Sequence, residues 1–143
     1  AVTSDTARPF KENTMFKPAH ELVLEAKKSV NEHSPAAIHD QVTAAPNTLL
    51  IDVREPDEYR QGHLPGSINI PRGMLEFRIS GEPQLQNLSR PIVVYCKTSG
   101  RAALSVVAMQ TMGFTNVLSL AGGFDAWVAE QRAVAKPHEI SFD

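Results

Sequence analysis

The chain of 143 residues contains one cysteine, Cys96. A lone thiol excludes any internal disulfide, so the fold does not lean on an oxidising compartment. No apolar run approaches the roughly 20 residues of a membrane span, and no membrane partner is expected. An excess of charge of one sign is also missing. The formal net charge is −2, which leaves no electrostatic footprint for nucleic acid. The histidines, His20, His33, His39, His63 and His138, show no metal-ligand spacing, so no metal is expected. No internal repeat or low-complexity block is present. What remains is ordinary for a soluble domain: 42% hydrophobic and 21% charged residues, in a chain long enough for one real core. It begins at Ala1, with no apolar signal core in the first ten residues. Cytoplasmic is the default expectation, with room for a processed leader.

A more local absence is more telling. From Pro83 to Phe124 there is no Asp or Glu, while Arg90, Lys97 and Arg101 fall inside that stretch. At its centre, Ile92-Val93-Val94-Tyr95 reads as a short buried strand. The loop Cys96-Lys97-Thr98-Ser99-Gly100-Arg101 follows, and an apolar helix runs from Ala102 to Met112. Such a loop turns successive backbone N–H groups into a small bowl, and the helix start adds partial positive charge. Cys96 is therefore a candidate nucleophile inside an anion-binding cradle. The ordinary alternative is an inert core cysteine.

The rest of the chain frames this centre. Residues 1–16 are polar and aperiodic, a loosely held arm. Pro18 opens a helix with Ala19, Leu22, Val23, Ala26 and Val30 on one face. Ser34-Pro35 caps a second helix through Val42. Thr48 to Val53 and Thr115 to Leu120 read as strands, and Ser67 to Ile70 as a brief one. Glu55-Pro56 starts a helix, Gly62 to Gly66 is a loop, and Met74 to Ile79 makes one or two helical turns. Gly122-Gly123 turns into a last helix carrying Phe124 and Trp127, and Pro137 closes the structured part. Strands and helices alternate, which predicts an α/β fold with a parallel sheet covered on both faces. Ligands of such sheets bind beyond the carboxyl ends of strands, where Cys96 lies. The domain reading is an arm and flanking helix over 1–33, a single α/β domain over 34–132, the part that carries the family resemblance given below, and a tail over 133–143.

The charged residues around the loop differ in what they require. A cation at a helix start, as at Arg101, is unfavourable against the dipole, so it should meet an anion or a carboxylate from elsewhere in the fold. Asp52, Arg54, Glu55 and Glu58 crowd the end of the earlier strand and read as a local ion-pair network. Lys97 could be merely solvated.

The sequence resembles single-domain rhodanese-like proteins. The resemblance is carried by Ile51 to Tyr59, by Gly62-His63-Leu64-Pro65-Gly66-Ser67-Ile68-Asn69-Ile70-Pro71, by Tyr95 to Ala103, and by Leu120 to Trp127. It spans about Ser34 to Glu130, with four motifs in order. It implies about five parallel strands with helices on both faces, plus an N-terminal helical extension. It also implies a sulfurtransferase that moves sulfane sulfur from thiosulfate or a persulfide to a thiol or cyanide through a persulfide on Cys96. Lys97, Thr98, Ser99, Gly100 and Arg101 are then the substrate-binding loop. No cofactor is implied. The expected partners are a small anionic sulfur donor and a thiol acceptor, such as a small protein thiol. Many relatives have glycine where Ser99 stands and serine where Ala102 stands, which leaves loop shape and donor preference open.

Rival readings exist. Phosphatases and arsenate reductases on a related fold also use a cysteine and an arginine around an N–H bowl. Their loops carry one more residue between the two, which widens the bowl for a tetrahedral oxyanion. A non-catalytic binding module or an oxidant sensor is the other alternative.

Overall fold

A computed structural model describes residues 15–137. The expected N-terminal arm up to residue 14 and the end of the expected tail, from His138 onward, lie outside the described residues. Helix α1 spans Ala19–Lys27 and is followed by strand β1, Asn31–His33. Helix α2 (Pro35–Ala44) leads to β2 (Leu49–Asp52), and α3 (Pro56–Gln61) leads to β3 (Ile68–Asn69). A 3₁₀ turn at Arg72–Met74 runs into α4, Leu75–Gly81. Then come β4 (Ile92–Tyr95), α5 (Gly100–Thr111), β5 (Val117–Leu120) and α6 (Gly123–Ala129).

The five strands form one sheet in the order β1-β5-β4-β2-β3, and every pairing is parallel. Strand β4 is central. Its four residues are all buried, because neighbouring side chains face opposite ways and both faces of the sheet are covered. Ile92, Val94 and Cys96 join a core with Val53, Leu75, Ala102 and Val106. Val93 and Tyr95 join the other core, with Ile38, Leu64 and Trp127. Helices α4 and α5 thus cover one face, and α2 and α6 the other. The alternation carries Cys96 to the α5 side.

Local chemistry explains the element starts. The Ser34 hydroxyl accepts the Ala37 N–H at 3.2 Å, with Pro35 as the first helical residue of α2. Glu58 Oε1 accepts the Glu55 N–H at 2.9 Å, which closes the first turn of α3.

Three features depart from the sequence reading. Strand β1 was not legible, since Asn-Glu-His is polar and exposed and joins the sheet through its backbone beside Leu118–Leu120. Helix α1 ends before Val30, the last residue of the expected face; Ala19 and Leu22 stay exposed, and only Val23, Ala26 and Val30 turn inward. That helix packs on α5, and Gln110 Nε2 donates to the Ser29 carbonyl at 2.9 Å. Part of the expected C-terminal tail is pinned. Ala135 exchanges two backbone hydrogen bonds with His63, at 2.8 and 2.9 Å. Trp127 Nε1 donates to the Ala133 carbonyl at 2.7 Å.

Candidate active site

Cys96 stands at the carboxyl end of β4, and α5 begins four residues later. Its Sγ accepts the Ala102 N–H at 3.4 Å. That N–H is one of the orphan donors in the first turn of α5, so the sulfur sits at the positive end of a twelve-residue helix. Cys96 is 1% exposed.

The loop is held from behind by α6. Phe124 N–H donates to the Cys96 carbonyl at 2.8 Å, and Asp125 N–H to the Lys97 carbonyl at 3.0 Å. A Cβ placed on Gly123 would stand 2.4, 2.5 and 2.6 Å from the carbonyl oxygens of Thr98, Cys96 and Lys97. Three successive carbonyls therefore face the head of α6. In a trans peptide the N–H points opposite to the C=O, so the N–H groups of Lys97, Thr98 and Ser99 are turned away from α6. Only glycine fits at 123, both for this approach and for its φ of +61°. On its other side the loop meets α1, where a Val23 methyl stands 3.5 Å from the place of a Cβ on Gly100.

Both loop cations have carboxylate partners from distant elements. Arg101 Nη1 donates to Glu58 Oε1 at 2.8 Å, and Nη2 to Oε2 at 3.2 Å. Lys97 Nζ donates to Asp125 Oδ2 at 2.7 Å. The hydrogen bond from Arg101 holds the Glu58 carboxyl below its ordinary range, against a smaller opposing effect of burial. The same bond raises the Arg101 guanidinium above its ordinary value. The expected carboxylate for Arg101 is thus Glu58, one of the acids of the predicted network. Nothing in the sequence reading singled out Asp125.

The rest of that network supports the wall. Arg54 Nε and Nη2 clamp the buried Asp52 carboxylate at 2.7–3.1 Å, and Nη2 also donates to the Gly62 carbonyl at 2.7 Å. Burial pulls the Arg54 guanidinium down, but the Asp52 hydrogen bond and charge, with smaller help from Tyr95 and Glu58, leave it raised. The guanidinium lies 4.3 Å from the Phe124 ring centroid, a cation–π contact. Beneath, the Tyr95 hydroxyl accepts the Leu64 N–H at 3.0 Å and pairs with Ser67 Oγ at 3.1 Å. Burial, then the Asp52 charge, raises that phenol above its ordinary value.

A recess of about 280 Å³ beside the loop is lined by Arg54, Glu58, Gln61, Lys97, Phe124 and Asp125. Of the predicted site residues only Lys97 lines it. Thr98 is exposed, Ser99, Gly100 and Arg101 are half-buried, and Cys96 lies beneath the surface. A larger cavity of about 580 Å³, lined by Ile38, Leu50, Leu64, Trp127 and others, contains no loop residue. Among the described residues no cluster of three metal-ligating side chains is present, and no helix is long and apolar enough to cross a membrane.

Comparison with known proteins bears on this geometry. A family model for the rhodanese-like domain matches residues 34–130. A sulfurtransferase from Allochromatium vinosum is 28% identical over 108 residues, covering 76% of this chain and 97% of that protein. Some other curated relatives are longer, and the chain spans 25% of one of them. A solved structure from Rhodopseudomonas palustris, described as a protein of unknown function and possible tyrosine phosphatase, has a TM-score of 0.77 at 32% identity. It covers 86% of this chain and 98% of that one. The polysulfide-sulfur transferase homodimer from Wolinella succinogenes has a TM-score of 0.70 at 28% identity, over 94% of this chain and 95% of that one.

Proposed function

The chain belongs to the rhodanese-like family, and from that premise we propose that it is a sulfurtransferase carrying a sulfane sulfur on Cys96. The observation that carries this reading is the placement of Sγ against the Ala102 N–H at the head of α5. Beside it, the carbonyls of Cys96 and Lys97 are hydrogen-bonded to α6 and that of Thr98 faces Gly123, so the amides of Lys97, Thr98 and Ser99 are turned away from α6.

The chemistry runs in two displacements. The Cys96 thiolate attacks the outer sulfur of thiosulfate, a new S–S bond forms, and the bond to sulfite breaks with its electron pair leaving on sulfite. Sulfite is stable as an anion, so no general acid is needed for its departure. The terminal anionic sulfur of the persulfide then takes hydrogen bonds from the loop N–H groups. In the second step an acceptor thiolate or cyanide attacks that outer sulfur and regenerates the Cys96 thiolate. No second cysteine is required, because the acceptor comes from outside. A thiol acceptor and a small anionic donor are the partners of this reading, and the cytoplasm is its setting.

A phosphatase reading is weaker. Four residues separate Cys96 from Arg101, and two N–H groups of the Arg101 fork are already held by Glu58. An oxidant sensor would use the same thiolate without passing sulfur on.

The test is a thiosulfate-to-cyanide assay on the parent, Cys96→Ala and Arg101→Ala. Transfer abolished in Cys96→Ala, with donor use weakened in Arg101→Ala, is the expected result. Turnover of an aryl phosphate well above the Cys96→Ala control, without thiocyanate formation, would replace this reading with the phosphatase one.

A further inference from the structure

Within the sulfurtransferase reading, the site is less cationic than its own loop. The stretch from Pro83 to Phe124 has no acid, yet the fold brings one carboxylate to each loop cation. Glu58 comes from α3, 43 residues from Arg101, and Asp125 from α6, 28 residues from Lys97. The charged groups lining the recess are Arg54, Lys97, Glu58 and Asp125. Their partners just outside are Asp52 and Arg101. The charges of these six cancel.

Glu58 is also committed geometrically. Its Oε1 and Oε2 each take one N–H from the two terminal nitrogens of Arg101, while Oε1 also holds the Glu55 N–H. A dianion has two ways to reach Arg101. It must displace a fork-shaped ion pair, or it must sit beside a fixed carboxylate that repels it. A donor of lower charge loses less on either route.

We infer that Glu58 and Asp125 set the donor preference of this site, disfavouring the thiosulfate dianion and favouring sulfane-sulfur donors of lower charge such as thiosulfonates and hydropersulfides. Both are specificity-determining residues that act through the loop cations. The inference rests on the sulfurtransferase reading.

Coulomb energy is proportional to the donor's charge, so removing one carboxylate should raise the rate constant for a dianion by the square of its effect on a monoanion. Two donors isolate this term. Thiosulfate carries two negative charges, and methanethiosulfonate carries one. Each delivers one sulfur to Cys96, releasing sulfite or methanesulfinate with the electron pair. The experiment measures donor kcat/KM for both, with cyanide as acceptor at low salt, in the parent, Glu58→Gln and Asp125→Asn. Glutamine at 58 can still accept the Glu55 N–H, so the start of α3 is kept. Asp125 is half-exposed, so its variant reads the same term where Glu58→Gln does not fold.

The expected result is a gain of about threefold for methanethiosulfonate and roughly tenfold for thiosulfate in each variant. The difference between the donors should shrink in high salt. Equal changes for the two donors, or a larger loss for thiosulfate, would overturn the inference and leave sulfur transfer standing. If neither donor loads sulfur onto Cys96 in the parent, the inference and the sulfurtransferase reading fall together.

Discussion

Replacing Gly123 by alanine tests how the loop is held. A methyl there would stand 2.4–2.6 Å from three carbonyl oxygens of the loop, well inside the distances Cβ atoms tolerate. Clearing it requires the loop or the head of α6 to move by roughly half an ångström, as a carbon and an oxygen normally keep more than 3 Å apart. That movement spoils the Phe124–Cys96 and Asp125–Lys97 backbone hydrogen bonds, each worth about 1 kcal/mol. The left-handed backbone at φ +61° adds about 1–2 kcal/mol for a residue with a Cβ. The sum is roughly 3–4 kcal/mol of lost stability. Gly66→Ala is the matched control. Gly66 has φ +82° and nothing within 4 Å of the added Cβ, so it carries only the backbone cost. The gain from a stiffer unfolded chain is the same for both variants and cancels in their difference. Denaturant unfolding should place Gly123→Ala about 2 kcal/mol below Gly66→Ala, and sulfur transfer should fall in the first variant only. Equal stability and equal activity in the two would refute the claim that α6 positions the loop through its carbonyls.

Other expectations follow from the same geometry. Asp52→Asn leaves the buried Arg54 without its carboxylate and should cost about 3–5 kcal/mol, read as a lowered unfolding midpoint. Acid should weaken the fold partly through Glu58. Its folded-state pKa is depressed by Arg101, so its contribution is present above the ordinary carboxylate range and is lost as pH falls through and below it. The pair is about one-third exposed, so the loss is under about 1 kcal/mol. Between about pH 5 and pH 3 the parent should therefore lose slightly more stability than Glu58→Gln, measured by unfolding at each pH.

Much of this was legible in the sequence because burial writes itself into pattern. Ile92, Val94 and Cys96 alternate with Val93 and Tyr95, and a short, β-branched run apolar on both sides and bounded by turn residues fits a strand covered twice. The position of Cys96 at that strand's end followed. Strand β1 was illegible for the opposite reason. Asn31, Glu32 and His33 are exposed, and backbone pairing at a sheet edge leaves no side-chain signature. The charges of the loop were legible, but their neutralisation was not. Arg101 at a helix start called for a carboxylate, yet only the folded chain shows that Glu58 answers it. Asp125 and Lys97 carry no local signal for each other. Gly123 read as a turn residue. Its contact with three loop carbonyls is a tertiary fact that the Gly-Gly pair before a helix only hinted at.

Intact-protein mass after incubation with thiosulfate, and in parallel with methanethiosulfonate, tests sulfur carriage on Cys96 most directly. The account predicts a gain of one sulfur atom with at least one donor, reversed by cyanide with release of thiocyanate, and absent in Cys96→Ala. No added sulfur from either donor, or an adduct that survives in Cys96→Ala, would contradict it.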